Sequence, residues 1–220
     1  MKNKYKLYGT PISPFSYLIH AALIYKKVDF EYIFVDLTAK QQKTPEYLKL
    51  HPYGQVPLLV TDTGDNIYEA LAIFEYLEEK FPNYAMLPDD PIERAKNRSL
   101  YLSLVISIVP KIRELMFINL GAIQCSEEEK SSKQTKLFEM LEIFESEYSK
   151  LKPSLTLSLV DAIFYQGWNN LKLGYYSAYD SFLKLKDIHQ NISQNSVIKE
   201  IEALDFVIAS RKAFSSMFTK

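Results

Sequence analysis

The pattern of apolar residues changes near residue 85, and this change limits the folds that the chain can adopt. Upstream of it, strand and helix signals alternate, whereas downstream only helical periodicity continues. The stretch between them, FPNYAMLPDDP (81–91), contains three prolines, one Asn and two Asp, a composition typical of an extended connection. The sequence therefore predicts an α/β domain over 1–81, a linker over 82–90 and an all-helical domain over 91–220.

The N-terminal part predicts the order β-α-β followed by β-β-α. Alternating β-prone residues mark the strands, and apolar residues at helical spacing mark the helices. The predicted strands are 4–9, 30–37, 57–61 and 67–68, and the predicted helices are 14–26 and 69–80. The second helix has two candidate faces toward the sheet, formed by Leu71, Phe74 and Leu77 or by Ala70, Ile73, Phe74 and Leu77. This order indicates a mixed sheet covered by helices, with a right-handed βαβ crossover.

The C-terminal part shows helical patterns throughout. The first covers about 91–119, and Pro110 inside it predicts a kink or break because proline lacks a backbone donor. We interpret the polar stretch QCSEEEKSSKQ (124–134) as a separator before the next helix. Ser158 and Asp161 have the spacing of a helix-capping box ahead of AIFYQGW. The tail over 201–218 predicts an additional helix.

Charge and cysteine content exclude several classes of protein. The formal net charge is −1, so bulk charge gives no reason to expect a nucleic-acid partner. Cys125 is the single cysteine, which excludes an intramolecular disulfide and suits a reducing compartment. The segment MKNKYKLYGT lacks a long apolar run, and no segment approaches the length of a membrane span. We therefore expect a cytoplasmic protein without membrane association.

Five segments, in their order and spacing, resemble the cytosolic glutathione transferase superfamily along essentially the whole chain. They are LYGTPISPF (7–15), HPYGQVPLLV (51–60), IYEALAIFEYLEEKFP (67–82), MLPDDPIERAK (86–96) and SLVDAIFYQGW (158–168). The resemblance implies a thioredoxin-like domain followed by an all-helical domain, which agrees with the elements predicted above. It also implies a homodimer that uses glutathione as co-substrate, without a metal ion.

The same resemblance implies that a small hydrophobic electrophile binds between the two domains. Tyr101, Ile108 and Phe117 are candidates for an apolar wall there, although core packing explains each of them equally well.

The resemblance also implies glutathione-binding roles for residues 55–57 and for Glu69. In the family the bond before Pro57 is cis, and Val56 presents its backbone to the cysteinyl part of glutathione, as in strand pairing. Gln55 is a candidate for a further contact with this peptide. Glu69 would receive the γ-glutamyl ammonium, and the helix start after it would receive the carboxylate, since helix N-termini expose unpaired N–H groups. Without the resemblance, base rates favour a trans bond before Pro57.

Ala70 is the clearest departure from the family pattern. Many relatives have Ser or Thr there, whose hydroxyl adds a hydrogen bond to the γ-glutamyl carboxylate. A hydrogen bond to a charged group is worth roughly 1.5–3 kcal/mol, or about ten- to a hundredfold in affinity. We therefore expect Ala70 to weaken the glutathione site without abolishing it.

A cation for the glycyl carboxylate is expected in the region that holds Lys40, Lys43 and Lys49. The sequence does not choose among them, and solvated surface lysines explain all three as well. Lys40 is the one included in the predicted site. His51 stands where many relatives have Asn, so we interpret it as a structural variant rather than as a catalytic residue.

The enzyme needs a group that favours the thiolate of glutathione, and two hydroxyls are candidates. Ser13 matches the position used by the serine classes of the family, with Pro14 suited to the first helical position, while Tyr8 lies near the position used by the tyrosine classes. Ser13 is the predicted catalytic residue and Tyr8 the alternative, although Ser13 also suits a simple helix cap. Thr10 and Ser16 are weaker candidates.

Three functions follow from the resemblance. The leading prediction is a transferase that conjugates the glutathione thiolate to a hydrophobic electrophile, as in detoxification. The alternative is a non-catalytic relative acting through protein contacts, like the stringent-starvation regulators. Ala70 and Leu18, which stands where serine-type relatives have Arg, favour that alternative, whereas Ser13 and Glu69 oppose it. An isomerase or dehalogenase is the third, although the doubled-serine, cysteine-containing motif of maleylacetoacetate isomerases is absent.

Overall fold

The protein is described by a computed structural model that covers residues 4–151, 156–174 and 181–218. The chain forms two compact units: Met1–Met86 with Ser196–Ser210, and Leu87–Asn195 with Arg211–Lys220. The ranges predicted from the sequence, 1–81, 82–90 and 91–220, are each continuous along the chain. Packing instead groups a C-terminal segment with the N-terminal unit, which no local pattern in the sequence indicates.

The first unit is built on a four-stranded sheet in the order β2-β1-β3-β4. Its strands are β1 (Tyr5–Gly9), β2 (Phe30–Phe34), β3 (Leu58–Val60) and β4 (Asn66–Tyr68). β1 runs parallel to β2 and antiparallel to β3, and β3 pairs with β4 as the predicted hairpin. The mixed sheet and the helical remainder of the chain confirm the predicted fold class.

Three helices accompany this sheet: α1 (Pro14–Tyr25), α2 (Pro45–Leu50) and α3 (Ala70–Lys80). The sequence pattern predicts the first and third, whereas α2 and the short 3₁₀ turn Gln41–Lys43 before it are found only in the structure. Six residues are too few to display helical periodicity. The signal was Thr44 before Pro45, because the Thr44 hydroxyl accepts from the Tyr47 amide and so caps the helix.

The two faces of the sheet carry different helices. α1 and α3 pack on each other, and the structure chooses the second candidate face of α3, since Ala70, Ile73, Phe74 and Leu77 are all buried. Another buried cluster joins Val35 and Leu58 to Tyr47 of α2, with Tyr8 and Val56 packed against it. Residues of β1 alternate between these two clusters, because successive side chains of a strand point to opposite faces.

Within the described residues, the regular elements of the second unit are all helices. Its helices are α4 (Pro91–Leu102), α5 (Val109–Asn119), α6 (Glu127–Tyr148), α7 (Leu159–Gly174) and α8 (Leu183–Ser193). A π-helical turn, Ser103–Ile108, separates α4 from α5 directly before Pro110. The predicted break near this proline is confirmed, because a residue without an N–H interrupts the regular i to i−4 pattern.

Two capping boxes start helices of this unit. The interpretation of 124–134 as a separator is wrong, because α6 begins at Glu127, inside that stretch. The Ser126 hydroxyl accepts from the Glu129 amide while the Glu129 carboxylate accepts from the Ser126 amide, and these bonds start the helix early. The predicted box at Ser158 and Asp161 is confirmed by the same reciprocal bonds, 2.9 and 3.1 Å long.

The C-terminal part of the chain forms α9 (Ser196–Glu202) and α10 (Asp205–Ser215). α10 confirms the additional helix predicted over the tail. α9 packs on α1, and the Tyr17 hydroxyl donates to the Glu202 carboxylate at 2.8 Å. The Phe206 ring lies 4.8 Å from the ring of Tyr32 and 6.2 Å from that of His20, both in the first unit. These contacts explain why 196–210 belongs to that unit.

A buried ion pair closes the C-terminal ends of α1 and α3. The Lys26 ammonium lies 2.6 Å from the Glu78 carboxylate, and both side chains are almost fully buried. The same ammonium donates to the carbonyls of Phe81 and Tyr84, and the same carboxylate accepts from the Met86 amide. This network therefore ties 81–86, the start of the predicted linker, to the two helices.

Among the helices of the described residues, none combines the length and the apolar character that crossing a bilayer requires.

Candidate functional site

Four connections of the first unit meet at one end of the sheet. Gly9 pairs with Phe34, Tyr8 pairs with Leu58, and Leu58 pairs with Tyr68. The carboxyl ends of β1, β2 and β4 therefore lie beside the amino end of β3, and we call this the site end of the sheet. Segments that are distant in sequence leave from it: 10–13, 35–44, 51–57 and Glu69. All the predicted site residues except Tyr8 and Ala70 lie in these connections, and those two adjoin them.

Ser13 caps α1, and its hydroxyl has a free proton. Its Oγ accepts from the Ser16 amide at 3.3 Å, and its own amide donates to the Thr10 carbonyl. Throughout the described ranges the Ser13 hydroxyl donates to no acceptor, and the residue is half-buried. The cap and the catalytic role are therefore compatible, because the cap uses a lone pair and leaves the O–H free to donate to a thiolate. The positive end of the helix dipole favours an anion at the same place.

Tyr8 lies within the sheet rather than in a connection. Its ring meets the ring of Tyr47 edge to face at a centroid distance of 6.1 Å. Both side chains line a groove of about 330 Å³ that also includes Phe34 and Leu50. Tyr8 thus remains an alternative to Ser13 in position, but it lacks the helix N-terminus that would assist Ser13.

In the connection 51–57, the backbone of Val56 is unpaired within the described ranges. The Val56–Pro57 bond is cis, which confirms the expectation taken from the resemblance. Neither the N–H nor the C=O of Val56 has a hydrogen-bond partner within the described part of the chain, and the residue is half-buried. The Gln55 side chain is exposed, whereas its carbonyl accepts from the Tyr47 hydroxyl at 2.7 Å. Such a segment can pair with a peptide ligand as a strand does.

Glu69 occupies a strained position at the start of α3. Its φ is 68°, a backbone conformation that residues other than glycine seldom adopt. Its carboxylate is exposed and makes no capping hydrogen bond to the helix. Ile73 donates to the Glu69 carbonyl, so the amides of Ala70, Leu71 and Ala72 form the open N-terminus. Ala70 is buried and brings no hydroxyl. The arrangement offers a carboxylate for a cation beside amides for an anion.

The three candidate lysines have different surroundings. The Lys43 ammonium donates to the Tyr53 carbonyl at 3.0 Å and so braces the connection 51–57. Lys40 is exposed, with a φ of 56°, and its ammonium contacts no acceptor within the described ranges. Lys49 is also exposed, in the last turn of α2. Lys40 therefore remains available for a carboxylate, in a connection that leaves the site end.

His51 is buried in a stack of aromatic rings, as expected for a structural residue. Its ring lies 4.9 Å from that of Tyr68 and 6.2 Å from that of Tyr47, and its exposed fraction is 1%. Burial lowers the pKa of His51, while the charge of Glu69 opposes this shift. The His51 ring therefore packs the residues before Gln55 against the end of β4.

Other predicted contacts lie in the helical unit. Tyr101 and Ile108 are buried there, whereas Phe117 is partly exposed.

Sequence reasoning missed Tyr47, whose hydroxyl donates to the Gln55 carbonyl. The Thr44-Pro45 start signal would have placed Tyr47 on a helix but not against that carbonyl. Within the described ranges, no cluster of His, Cys, Asp and Glu has a geometry suited to a metal ion.

One protein family and several curated proteins are similar in sequence to part of this chain. The family described as glutathione S-transferase, N-terminal domain, matches residues 3–79. A zeta-class glutathione S-transferase from Euphorbia esula is 39% identical over 129 residues, which cover 59% of this chain and 56% of the relative. A maleylacetoacetate isomerase from Pseudomonas aeruginosa is 39% identical over 97 residues, which cover 43% of this chain and 46% of the relative. The chain thus spans about half the length of the curated relatives it matches.

Solved structures resemble nearly the whole chain. Glutathione transferase F7 from Populus trichocarpa matches with a TM-score of 0.76 and 25% identity, over 94% of this chain and 99% of that one. A glutathione transferase homologue from Sulfitobacter, solved with bound glutathione, matches with a TM-score of 0.72 and 20% identity, over 92% and 98% of the two chains. Because the two sequences are only 20% identical, the similarity to the Sulfitobacter protein indicates a shared fold and nothing further.

Proposed function

Because the chain belongs to the cytosolic glutathione transferase superfamily, we propose that it binds glutathione and activates the thiol for attack on a small hydrophobic electrophile. A serine-type transferase is the form of this activity that the residues favour. The family further suggests a cytoplasmic homodimer with a role in detoxification, and these remain parts of the proposal.

The observation that carries the proposal is the meeting of two unsatisfied recognition elements at the site end. One is the unpaired backbone of Val56, and the other is the open N-terminus of α3 beside the exposed carboxylate of Glu69. Val56 lies just before the start of β3, and Glu69 follows the end of β4. Leu58 of β3 pairs with Tyr68 of β4, so the two elements lie at neighbouring strand ends. A γ-glutamyl tripeptide carries the complementary groups: an ammonium and a carboxylate at one end, and a peptide backbone in the middle. Lys40 would receive the glycyl carboxylate at the other end.

Ser13 would act on the sulfur. With its oxygen engaged by the Ser16 amide, the hydroxyl proton can donate to the thiolate, and the N-terminus of α1 adds favourable electrostatics. Stabilising the thiolate relative to the thiol lowers the thiol pKa and raises the fraction of nucleophile near neutral pH. The enzyme then needs only to hold the electrophile close to the sulfur, and such positioning supplies much of the rate.

A glutathione-dependent cis–trans isomerase is the second candidate. The relatives named maleylacetoacetate isomerase favour it. In this reaction the thiolate would add to a carbon–carbon double bond, the resulting single bond would rotate, and the thiolate would leave again. Both candidates use the same activated thiolate, but only conjugation consumes glutathione. The chain lacks the doubled-serine, cysteine-containing motif of those isomerases, and for this reason we place conjugation first.

Calorimetric titration with glutathione tests the proposal. The native chain is expected to bind, and Ala70→Ser is expected to bind about tenfold or more tightly, because the added hydroxyl supplies a hydrogen bond to a charged carboxylate. Glu69→Gln is the complementary variant and is expected to bind glutathione more weakly. It keeps the shape of the side chain but removes the charge that would hold the ammonium.

The outcomes separate the candidate functions. If the folded native chain and Ala70→Ser both fail to bind millimolar glutathione, the enzymatic proposal is wrong and a role in protein contacts takes its place. If glutathione binds, the chain is incubated with an electrophilic alkene. Mass spectrometry then detects a stable conjugate, whereas proton NMR detects an isomerised alkene of unchanged mass with glutathione regenerated.

A further inference from the structure

The connection that carries Val56 is held against α2 and the turn before it by three contacts. The Tyr47 hydroxyl donates to the Gln55 carbonyl at 2.7 Å, and the Lys43 ammonium donates to the Tyr53 carbonyl at 3.0 Å. Gly54 has a φ of 57°, and a Cβ built on it would lie only 2.5 Å from the Gln42 carbonyl oxygen, so the backbones are in close contact. The Tyr47 bond is the one nearest to the unpaired backbone of Val56.

The hydrogen bond from the Tyr47 hydroxyl to the Gln55 carbonyl also fixes the direction of the Val56 N–H, because both groups belong to one planar peptide. The Gln55–Val56 bond is trans, and in a trans peptide the C=O and the following N–H point in opposite directions. Because the Gln55 carbonyl is directed at the Tyr47 hydroxyl, the Val56 N–H is directed away from α2. This N–H has no partner within the described part of the chain.

Tyr47 is suited to hold the carbonyl permanently. It is 7% exposed, its ring packs against Tyr8, and the Thr44 cap fixes its backbone. Burial raises the pKa of the Tyr47 phenol, so the hydroxyl stays protonated and remains a donor at physiological pH. Gln55, by contrast, is exposed, and without the bond its carbonyl would be free to turn toward water.

We propose that Tyr47 is a positioning residue for glutathione: its hydroxyl holds the Gln55 carbonyl and thereby aims the Val56 N–H at the cysteinyl carbonyl of the bound tripeptide. This inference rests on the proposed function. Tyr47 touches neither the substrate nor the reacting atoms, so its contribution is to binding and not to the chemical step.

Tyr47→Phe is the variant that tests it, because it keeps the ring and removes only the donor. The loss of one neutral hydrogen bond predicts a dissociation constant for glutathione about three- to tenfold higher. The kcat at saturating glutathione is expected to stay within about twofold, so the effect appears in KM. Tyr25→Phe is the matched control, since Tyr25 is a half-buried residue of the same unit, its hydroxyl has no hydrogen-bond partner within the described ranges, and it lies outside the proposed binding site.

A modified ligand separates positioning from general weakening of the fold. The probe is a glutathione analogue in which a methylene replaces the cysteinyl carbonyl, so that it cannot accept from Val56. The native chain is expected to bind this analogue more weakly than glutathione, and Tyr47→Phe is expected to reduce that difference while leaving affinity for the analogue nearly unchanged. Thermal unfolding of each variant accompanies the titrations.

Each outcome decides one point. If the native chain does not bind glutathione, the proposed function and this inference both fail. If the native chain binds and Tyr47→Phe binds equally well, the inference fails while the proposed function stands. If Tyr47→Phe weakens glutathione and the analogue by the same factor, Tyr47 stabilises the unit in general and does not aim Val56. A selective loss for glutathione supports the inference.

Discussion

Replacing Lys26 by Met is expected to destabilise the protein strongly, because it removes the partner of a buried carboxylate and of two backbone carbonyls. The three protons of the ammonium match three acceptors: the Glu78 carboxylate at 2.6 Å, the Tyr84 carbonyl at 2.7 Å and the Phe81 carbonyl at 3.2 Å. Lys26 is 2% exposed and Glu78 is 6% exposed. Lys26→Met keeps most of the side-chain volume and leaves a buried carboxylate without its counter-charge.

The expected loss follows from that unpaired charge. Removing one partner of a buried pair costs about 3–5 kcal/mol, because the remaining ion keeps its desolvation penalty without the attraction. One hydrogen bond to Glu78 survives, since the Met86 amide still donates to it at 3.0 Å. The two orphaned backbone carbonyls add to the loss. We therefore expect Lys26→Met to lower the free energy of unfolding by about 4 kcal/mol.

Urea unfolding followed by circular dichroism measures this value, and two further variants interpret it. In Lys26→Met with Glu78→Gln no buried charge remains and the Met86 amide keeps its acceptor, so the double variant is expected to recover about 1–3 kcal/mol relative to Lys26→Met. Lys27→Met is the adjacent control: Lys27 is exposed and its ammonium lies 4.9 Å above the ring of Tyr84, a contact worth about 0.5–1 kcal/mol. A loss below about 1 kcal/mol for Lys26→Met, or a double variant no more stable than the single one, would refute the reasoning.

Three other predictions concern the site, pH and a helix cap. Ser13→Ala is expected to raise the pKa of the thiol of bound glutathione, which the thiolate absorbance measures, and to lower kcat at neutral pH about tenfold or more. An unchanged pH profile would instead indicate Tyr8 as the donor. Burial lowers the pKa of His20 to about 4 in the folded chain. Since the unfolded chain binds this proton near pH 6.5, His20 alone is expected to lower the free energy of unfolding by about 2 kcal/mol from pH 7 to pH 5, and His20→Gln should remove this part of the slope in urea unfolding. Ser158→Ala removes the acceptor for the Asp161 amide and is expected to cost about 1 kcal/mol in the same assay, with the exposed Ser132→Ala nearly neutral as its control.

Most helices and strands were predictable because their signals are local. A strand such as β1 and a helix such as α1 each bury one face, so apolar residues recur at the period of the element. Capping depends on residues three positions apart, and Ser158 with Asp161 was therefore predicted correctly. The start of α6 at Glu127 carried the same kind of signal, but the polar composition of 124–134 concealed it.

The candidate site was predictable in a different way. The individual residues Ser13, Val56 and Glu69 came from the resemblance to a family, and their local settings agree with it: a helix cap, a cis bond and a helix start. Local pattern alone did not bring these segments together. Their meeting follows from strand pairing, which joins residues about fifty positions apart, such as Tyr8 and Leu58.

The amino-acid sequence was therefore sufficient for the order of the elements and for the change to an all-helical pattern, because both depend on neighbouring residues. The departure at Ala70 came from the resemblance to a family. The sequence was not sufficient for the bond from Tyr47 to the Gln55 carbonyl, the partner of Lys26 or the return of 196–210 to the first unit. Those contacts depend on how separate elements pack. Burial selects partners by shape and by hydrogen-bonding capacity in three dimensions, and these properties leave no periodic trace along the chain.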